Sequence, residues 1–179
     1  MEQKEETLST RRIFEGKIIN LRVEEVKLPD GRTATREIVE HPGGVSIVAV
    51  KDNGNILLVK QYRKPAEEAL LEIPAGKLEY GEDPEVCAKR ELLEETGYEA
   101  GYIKHLMTFF TTPGFSNEKM YLYFAKNLVK HTAHPDEDEF LEVYEYTPEN
   151  LLEMILQNQI KDSKTIIGIL YYLKMRNSL

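Results

Sequence analysis

The chain has 179 residues, 31 of them Asp or Glu against 23 Lys or Arg, with a formal net charge of -8 and a hydrophobic content of 41%. This length suits one domain with a small appendage, and the apolar fraction is enough for a core. The acidic balance argues against sequence-independent nucleic-acid binding, which needs a basic face. No apolar run spans a bilayer; "IIGILYYL" is among the longest. An anionic substrate remains open, but it needs a cation to screen an acidic site, and a divalent metal is the usual one. The N-terminal "MEQKEETLSTRR" lacks the apolar core of a signal peptide, and Cys87 is the only cysteine, so no internal disulfide forms. The expectation is a cytoplasmic protein.

In chain order, residues 1–43 read as a small antiparallel unit. "KIINLRVEEVKL" and "RTATREIVEH" are strand-like, with Pro29-Asp30-Gly31 as the turn between them. "HPGG" at residues 41–44 breaks the pattern. "VSIVAVK" and "NILLVKQYR" follow as strands, joined at Asn53-Gly54, a hairpin signal because glycine accepts positive φ. Residues 85–96 read as a helix, opened by Asp83 and Pro84 and closed by Gly97. "YIKHLMTFFTT", "KMYLYFAKNLV" and "FLEVYEY" read as later strands, with the acidic loop "HPDEDE" before the last. Thr147-Pro148 and Asp162 are expected to cap two C-terminal helices, "ENLLEMILQNQ" and "SKTIIGILYYLKM". Strands mixed with helices throughout indicate a layered α/β or α+β fold.

One stretch carries the chemistry. "GKLEYGEDPEVCAKRELLEETGY", Gly76 to Tyr98, holds seven carboxylates. On a helix, Glu91 shares a face with Glu94 and Glu95, three and four residues on. Like charges so placed repel by about 0.2–0.5 kcal/mol per pair unless a cation sits among them. A hard divalent ion held by a few carboxylates and substrate phosphates removes the repulsion. The bland alternative for "RELLEE" alone is an ordinary solvated helix face. The wider spacing is more specific: Gly76, five residues, Glu82, seven residues, Arg90-Glu91-Leu92, one residue, Glu94-Glu95, one residue, Gly97.

That pattern resembles the Nudix box, G-x5-E-x7-R-E-U-x-E-E-x-G-U, in which U is a bulky aliphatic residue. All seven fixed letters match; Tyr98 stands where an aliphatic residue is usual. The resemblance implies an α/β/α sandwich with a mixed sheet over residues 44–179, preceded by the antiparallel unit of residues 1–43. It implies Mg²⁺, with Mn²⁺ as a substitute, held by Glu91, Glu94, Glu95 and the carbonyl of Ala75, with Arg90 orienting the carboxylates. Glu82 binds metal through water or braces the loop. Gly76 and Gly97 are expected at a sharp loop and a helix C-cap.

Substrate class comes from other stretches. "TPGFSNE", with Pro113 sixteen residues past Gly97, together with "KQYRKP" and "LEIPAGKLE", resembles the ADP-ribose pyrophosphatases. That subgroup implies a homodimer built through the N-terminal unit and cleavage of ADP-ribose to AMP and ribose 5-phosphate. Arg63 then grips the diphosphate and Arg36 contacts the adenosine side across the dimer. Gly114 and Phe115 line the ribose end, and Glu118 adds to the metal site. The acidic loop supplies the general base, Glu139 ahead of Glu137, while Glu95 serves the reaction through the metal. The plain alternatives are a surface salt bridge for Arg63, a turn for Pro113-Gly114 and a solvated acidic loop. Rival functions are a broader nucleoside diphosphate sugar hydrolase, a nucleotide sensor that does not cleave, and an RNA 5′-end pyrophosphohydrolase. The intact box argues against the sensor, and the acidic surface against the RNA enzyme. No nucleic-acid or membrane partner is expected.

Overall fold

The computed structural model describes residues 3–133 and 140–179. The chain divides into two compact units, residues 1–43 with 110–119, and residues 44–109 with 120–179.

The first unit is an antiparallel sheet of β1 (Glu6–Glu15), β2 (Asn20–Lys27) and β3 (Thr33–Glu40), in that order. The β2–β3 turn closes as the sequence expects: Gly31 has φ +89° and its N–H donates to Leu28 O at 2.9 Å. The sequence does not single out β1. All ten of its residues are exposed, so no apolar alternation marks it, and it forms by pairing with β2. The segment 110–119 joins this unit through Val39, whose N–H donates to Phe115 O at 2.8 Å. Asn117 Oδ1 accepts from His41 N at 2.8 Å.

The second unit begins with β4 (Gly44–Ala49), β5 (Ile56–Arg63), β6 (Glu68–Glu72), β7 (Ala75–Lys77) and α1 (Pro84–Thr96). It continues with β8 (Tyr98–Phe110), β9 (Lys119–Lys130), β10 (Glu142–Tyr146), α2 (Pro148–Leu156) and α3 (Ser163–Met175). The ends of β8 and β9, at Phe110 and Lys119, fall in the first unit. One sheet runs β7-β4-β9-β8; β4 is antiparallel to β7 and parallel to β9, so this sheet is mixed. A second, antiparallel sheet runs β10-β5-β6.

All six residues of β4 are buried, as both faces of a strand paired in parallel require. Val45, Ile47 and Ala49 pack with Cys87, Ala88 and Leu92 of α1. Val48 packs with Leu122, with Leu151 of α2, and with Ile169 and Tyr172 of α3. Helices therefore cover opposite faces of the sheet, giving an α/β/α sandwich.

The expected β4–β5 hairpin is only half made. The turn closes, with Gly54 at φ +83° and Lys51 N donating to Asn55 O at 2.9 Å. Pairing then stops at a single Val50–Ile56 bridge, and the two strands enter different sheets. Both edges of β4 are taken by β7 and β9, and both edges of β5 by β6 and β10. Among the described residues, no helix is long and apolar enough to cross a membrane.

Candidate active site

Helix α1 carries the acidic cluster, and local chemistry sets its ends. Asp83 accepts from the N–H groups of Glu85 and Val86 at 2.9 and 3.2 Å, with Pro84 following at the first helical position. Gly97 ends the helix in the left-handed region at φ +71°, donating to Leu93 O at 2.9 Å. With Cys87, Ala88 and Leu92 facing the sheet, Glu91 and Glu95 fall at its border and Glu94 turns further outward. Their exposures grade accordingly: Glu95 is 4% exposed, while the side chains of Glu91 and Glu94 are 14% and 37% exposed.

Arg90 ties the cluster together. Its Nε and Nη2 donate to the two carboxylate oxygens of Glu82, each at 3.2 Å. Its Nη1 donates to Glu91 Oε1 at 2.9 Å and to Glu94 Oε2 at 3.0 Å. Burial opposes the Arg90 charge, but the Glu82 bonds and the neighbouring carboxylates outweigh it and raise its pKa. In return, the hydrogen bond from Arg90 holds the Glu82 carboxyl below its ordinary value. Glu82 also accepts from Glu79 N at 2.9 Å, bracing the loop that leads into α1.

Strand β7 brings backbone to the same place. Ala75 N donates to Glu95 Oε2 at 3.0 Å. Gly76 lies against Glu91 so closely that a β-carbon there would overlap the carboxyl group. This glycine is not in the left-handed region, so the reason for it is the approach of Glu91 and not a strained turn.

Among the described residues, no three Asp, Glu, His or Cys side chains already form a closed metal cage. The chemistry of the donors nonetheless fits a hard divalent cation: Glu91, Glu94, Glu95 and the Ala75 carbonyl offer only oxygen. Glu82, Glu91 and Glu94 all bond to Arg90, three negative charges against one positive, and Glu95 accepts from Ala75 N.

The second unit also places Arg63, at the end of β5. Its Nε and Nη2 donate to Glu72 Oε1 and Oε2, both at 2.8 Å. Glu72 is 1% exposed and is also bonded by Lys164 of α3. Burial pushes the Glu72 carboxyl up, but the Arg63 bonds and the charges of Lys164 and Arg63 hold it below its ordinary value. Sequence reasoning missed Glu72 and Lys164. The available signal was an acid enclosed by apolar residues in "LLEIPAG".

The other expected site residues belong to the first unit. Arg36 donates to Glu5 from Nε and Nη2, at 2.9 and 2.5 Å. Phe115 is exposed, and a β-carbon on Gly114 would meet nothing within 4 Å. Glu118 Oε2 accepts from Thr111 Oγ1 at 2.6 Å, and its Oε1 lies 3.4 Å from His41 Nδ1. Glu137 and Glu139 lie outside the described residues.

Residues 40–166 match the NUDIX domain, and residues 5–39 match the nucleoside diphosphate sugar hydrolase N-terminal domain. The chain is 48% identical to a methanol dehydrogenase activator of Bacillus methanolicus, over 98% of this chain and 95% of that protein. It is 46% identical to an ADP-ribose pyrophosphatase of Bacillus subtilis, over the same shares. A crystal structure of an ADP compounds hydrolase superposes with a TM-score of 0.86 over 98% of this chain and 96% of that one; at 19% identity this shows the fold. The matched domain covers most of the chain and contains the whole acidic box, so the chain belongs to the Nudix hydrolase family.

Proposed function

We propose that the protein hydrolyses the diphosphate linkage of ADP-ribose, yielding AMP and ribose 5-phosphate, with Mg²⁺ as the divalent metal that Nudix hydrolases generally need. One observation carries this reading. The complete box is assembled, with Glu82, Glu91 and Glu94 bonded to Arg90 and Glu95 to Ala75 N, in a chain 46% identical to an ADP-ribose pyrophosphatase.

Glu91, Glu94, Glu95 and the Ala75 carbonyl would hold the metal, which when bound neutralises diphosphate charge and acidifies water. Arg90 keeps the carboxylates spaced and aligned. Arg63 offers its guanidinium edge to phosphate oxygens, a pairing its planar fork favours. A glutamate of the acidic loop, Glu139 ahead of Glu137, takes the proton from the attacking water. By the resemblance, Gly114 and Phe115 line the ribose end, Glu118 adds to the metal site and Arg36 acts on the adenosine side from a second protomer. Exposed Leu8, Ile13, Phe14, Ile18 and Ile19 on the first unit support a homodimer built there.

The test is Mg²⁺-dependent release of AMP from ADP-ribose, with Glu95→Gln as control. Release by the wild type and a loss of several orders of magnitude in the variant support the reading. Binding without cleavage sinks it in favour of a sensor. Faster cleavage of another nucleoside diphosphate sugar broadens the substrate class, in keeping with the N-terminal domain match.

A second reading rests on the 48% likeness to the methanol dehydrogenase activator: the chain stimulates a dehydrogenase. A methanol dehydrogenase assayed with and without the purified chain decides this, and an unchanged rate removes it.

A further inference from the structure

The four-residue segment Glu72 to Ala75 is held from both sides. On one side Thr165 Oγ1 accepts from Ile73 N at 2.9 Å and donates to Asp162 Oδ2 at 2.6 Å. On the other side Ala75 N donates to Glu95. The N-terminus of α3 is thus stitched to the strand segment that leads into the acidic box. At the head of that segment Glu72 Oε2 accepts from both Arg63 Nη2 and Lys164 Nζ. Lys164 is itself steadied by Asp162 Oδ1 at 3.0 Å, and its side chain is only 11% exposed. The Arg63 side chain is 40% exposed, and its Nη1 makes no hydrogen bond among the described residues.

A carboxylate matched to one guanidinium cancels that charge and leaves little for a third party. Shared between two cations, Glu72 leaves the trio with Arg63 and Lys164 at one net positive charge. Asp162, on the far side of Lys164, brings the formal sum of the four groups to zero, so what Lys164 supplies to Glu72 is a fixed second donor and not a surplus of charge. A buried carboxylate pinned by a second donor is also fixed in rotation, so its bidentate partner is fixed in plane. We propose that Lys164 is a positioning residue for diphosphate recognition, acting through Glu72 to orient Arg63. This rests on the reading of Arg63 as the diphosphate grip.

The competing account is that Lys164 only neutralises a buried acid. Steady-state kinetics with Mg²⁺ on the best-cleaved nucleoside diphosphate sugar separate the two, with thermal unfolding of each variant as the check on folding. Lys164→Met is expected to raise KM about tenfold with kcat within about threefold, the pattern of lost binding. Lys164→Arg restores KM toward wild type. Arg63→Ala raises KM by more, about thirtyfold, and Arg63→Ala with Lys164→Met is no worse than Arg63→Ala alone, because coupled residues are not additive. Multiplying effects in the pair, an unchanged KM in Lys164→Met, or no rescue by arginine overturns the proposal. An unchanged KM in Arg63→Ala instead sinks the parent reading of Arg63, and with it this one. Where Lys164→Met does not fold, Lys164→Met with Asp162→Asn removes both charges of that pair and leaves Glu72 bonded to Arg63. A raised KM there supports the proposal and a wild-type KM overturns it.

Discussion

The backbone of Gly76 lies against the carboxyl group of Glu91, with no room between them for a β-carbon. The atoms in the way are the far end of a flexible side chain, so Gly76→Ala displaces Glu91 and not the fold. Misplacement of a reacting group by about 1 Å costs on the order of a hundredfold in rate. Gly76→Ala is therefore expected to lose about a hundredfold in activity while its melting temperature moves by a few degrees at most. A variant that melts far earlier but keeps its rate contradicts this account.

Glu72 makes stability depend on acid. Its folded pKa lies below the ordinary 4.5, burial being outweighed by the Arg63 bonds and the Lys164 and Arg63 charges. A carboxyl so depressed adds stability above its unfolded pKa and loses it as pH falls through the folded value. The melting temperature should drop below pH 4.5 more steeply in the wild type than in Glu72→Gln. Parallel curves on the acid side would remove Glu72 as a source of this dependence.

Cys87 should be inert in the native protein. It is fully buried, beside Arg90 Nη2 at 3.4 Å, and burial, with Glu82 adding, pushes its thiol up to about 12. Since the thiolate is the reactive form, at pH 8 only about one thiol in ten thousand is reactive. An aromatic disulfide reagent should titrate no thiol in the folded protein and one per chain in denaturant. Rapid native labelling would show that the helix opens.

Gly168 of α3 is a packing contact. A β-carbon there would stand 2.9 Å from Ile73 Cδ1, 3.0 Å from Val48 Cγ2 and 3.3 Å from Leu122 Cδ1. In a closed core such overpacking costs about 1–3 kcal/mol, more than the gain in helix propensity from glycine to alanine. Denaturant titration of Gly168→Ala should show that loss. An unchanged midpoint would mean the sheet and helix part without strain.

The box and its helix were legible because their signals are local. Asp83, Pro84 and Gly97 mark the ends of α1, and the spacing of Glu91, Glu94 and Glu95 places them on one turn. The caps at Thr147 and Asp162 were legible for the same reason. Strands β1 and β7 were not: one is exposed at every position, the other is three residues long, and pairing alone defines them. The Asn53-Gly54 turn was legible, but the parting of β4 and β5 was not, because partners distant in sequence compete for the strand edges.

By itself the sequence determined the family, the box helix with its clustered carboxylates, and the cation that Arg90 provides beside them. These rest on spacing along one helix, which the backbone geometry converts directly into a shared face. Only the tertiary structure decided that Gly76 makes room for Glu91, that Glu95 answers to Ala75 N, and that Arg63 is held by a buried Glu72 shared with Lys164. The last pair is 92 residues apart in sequence. No local pattern encodes such a contact, because it exists only once α3 has packed on the strand segment that carries Glu72 and the cost of burying that charge is offset by the two cations brought to it.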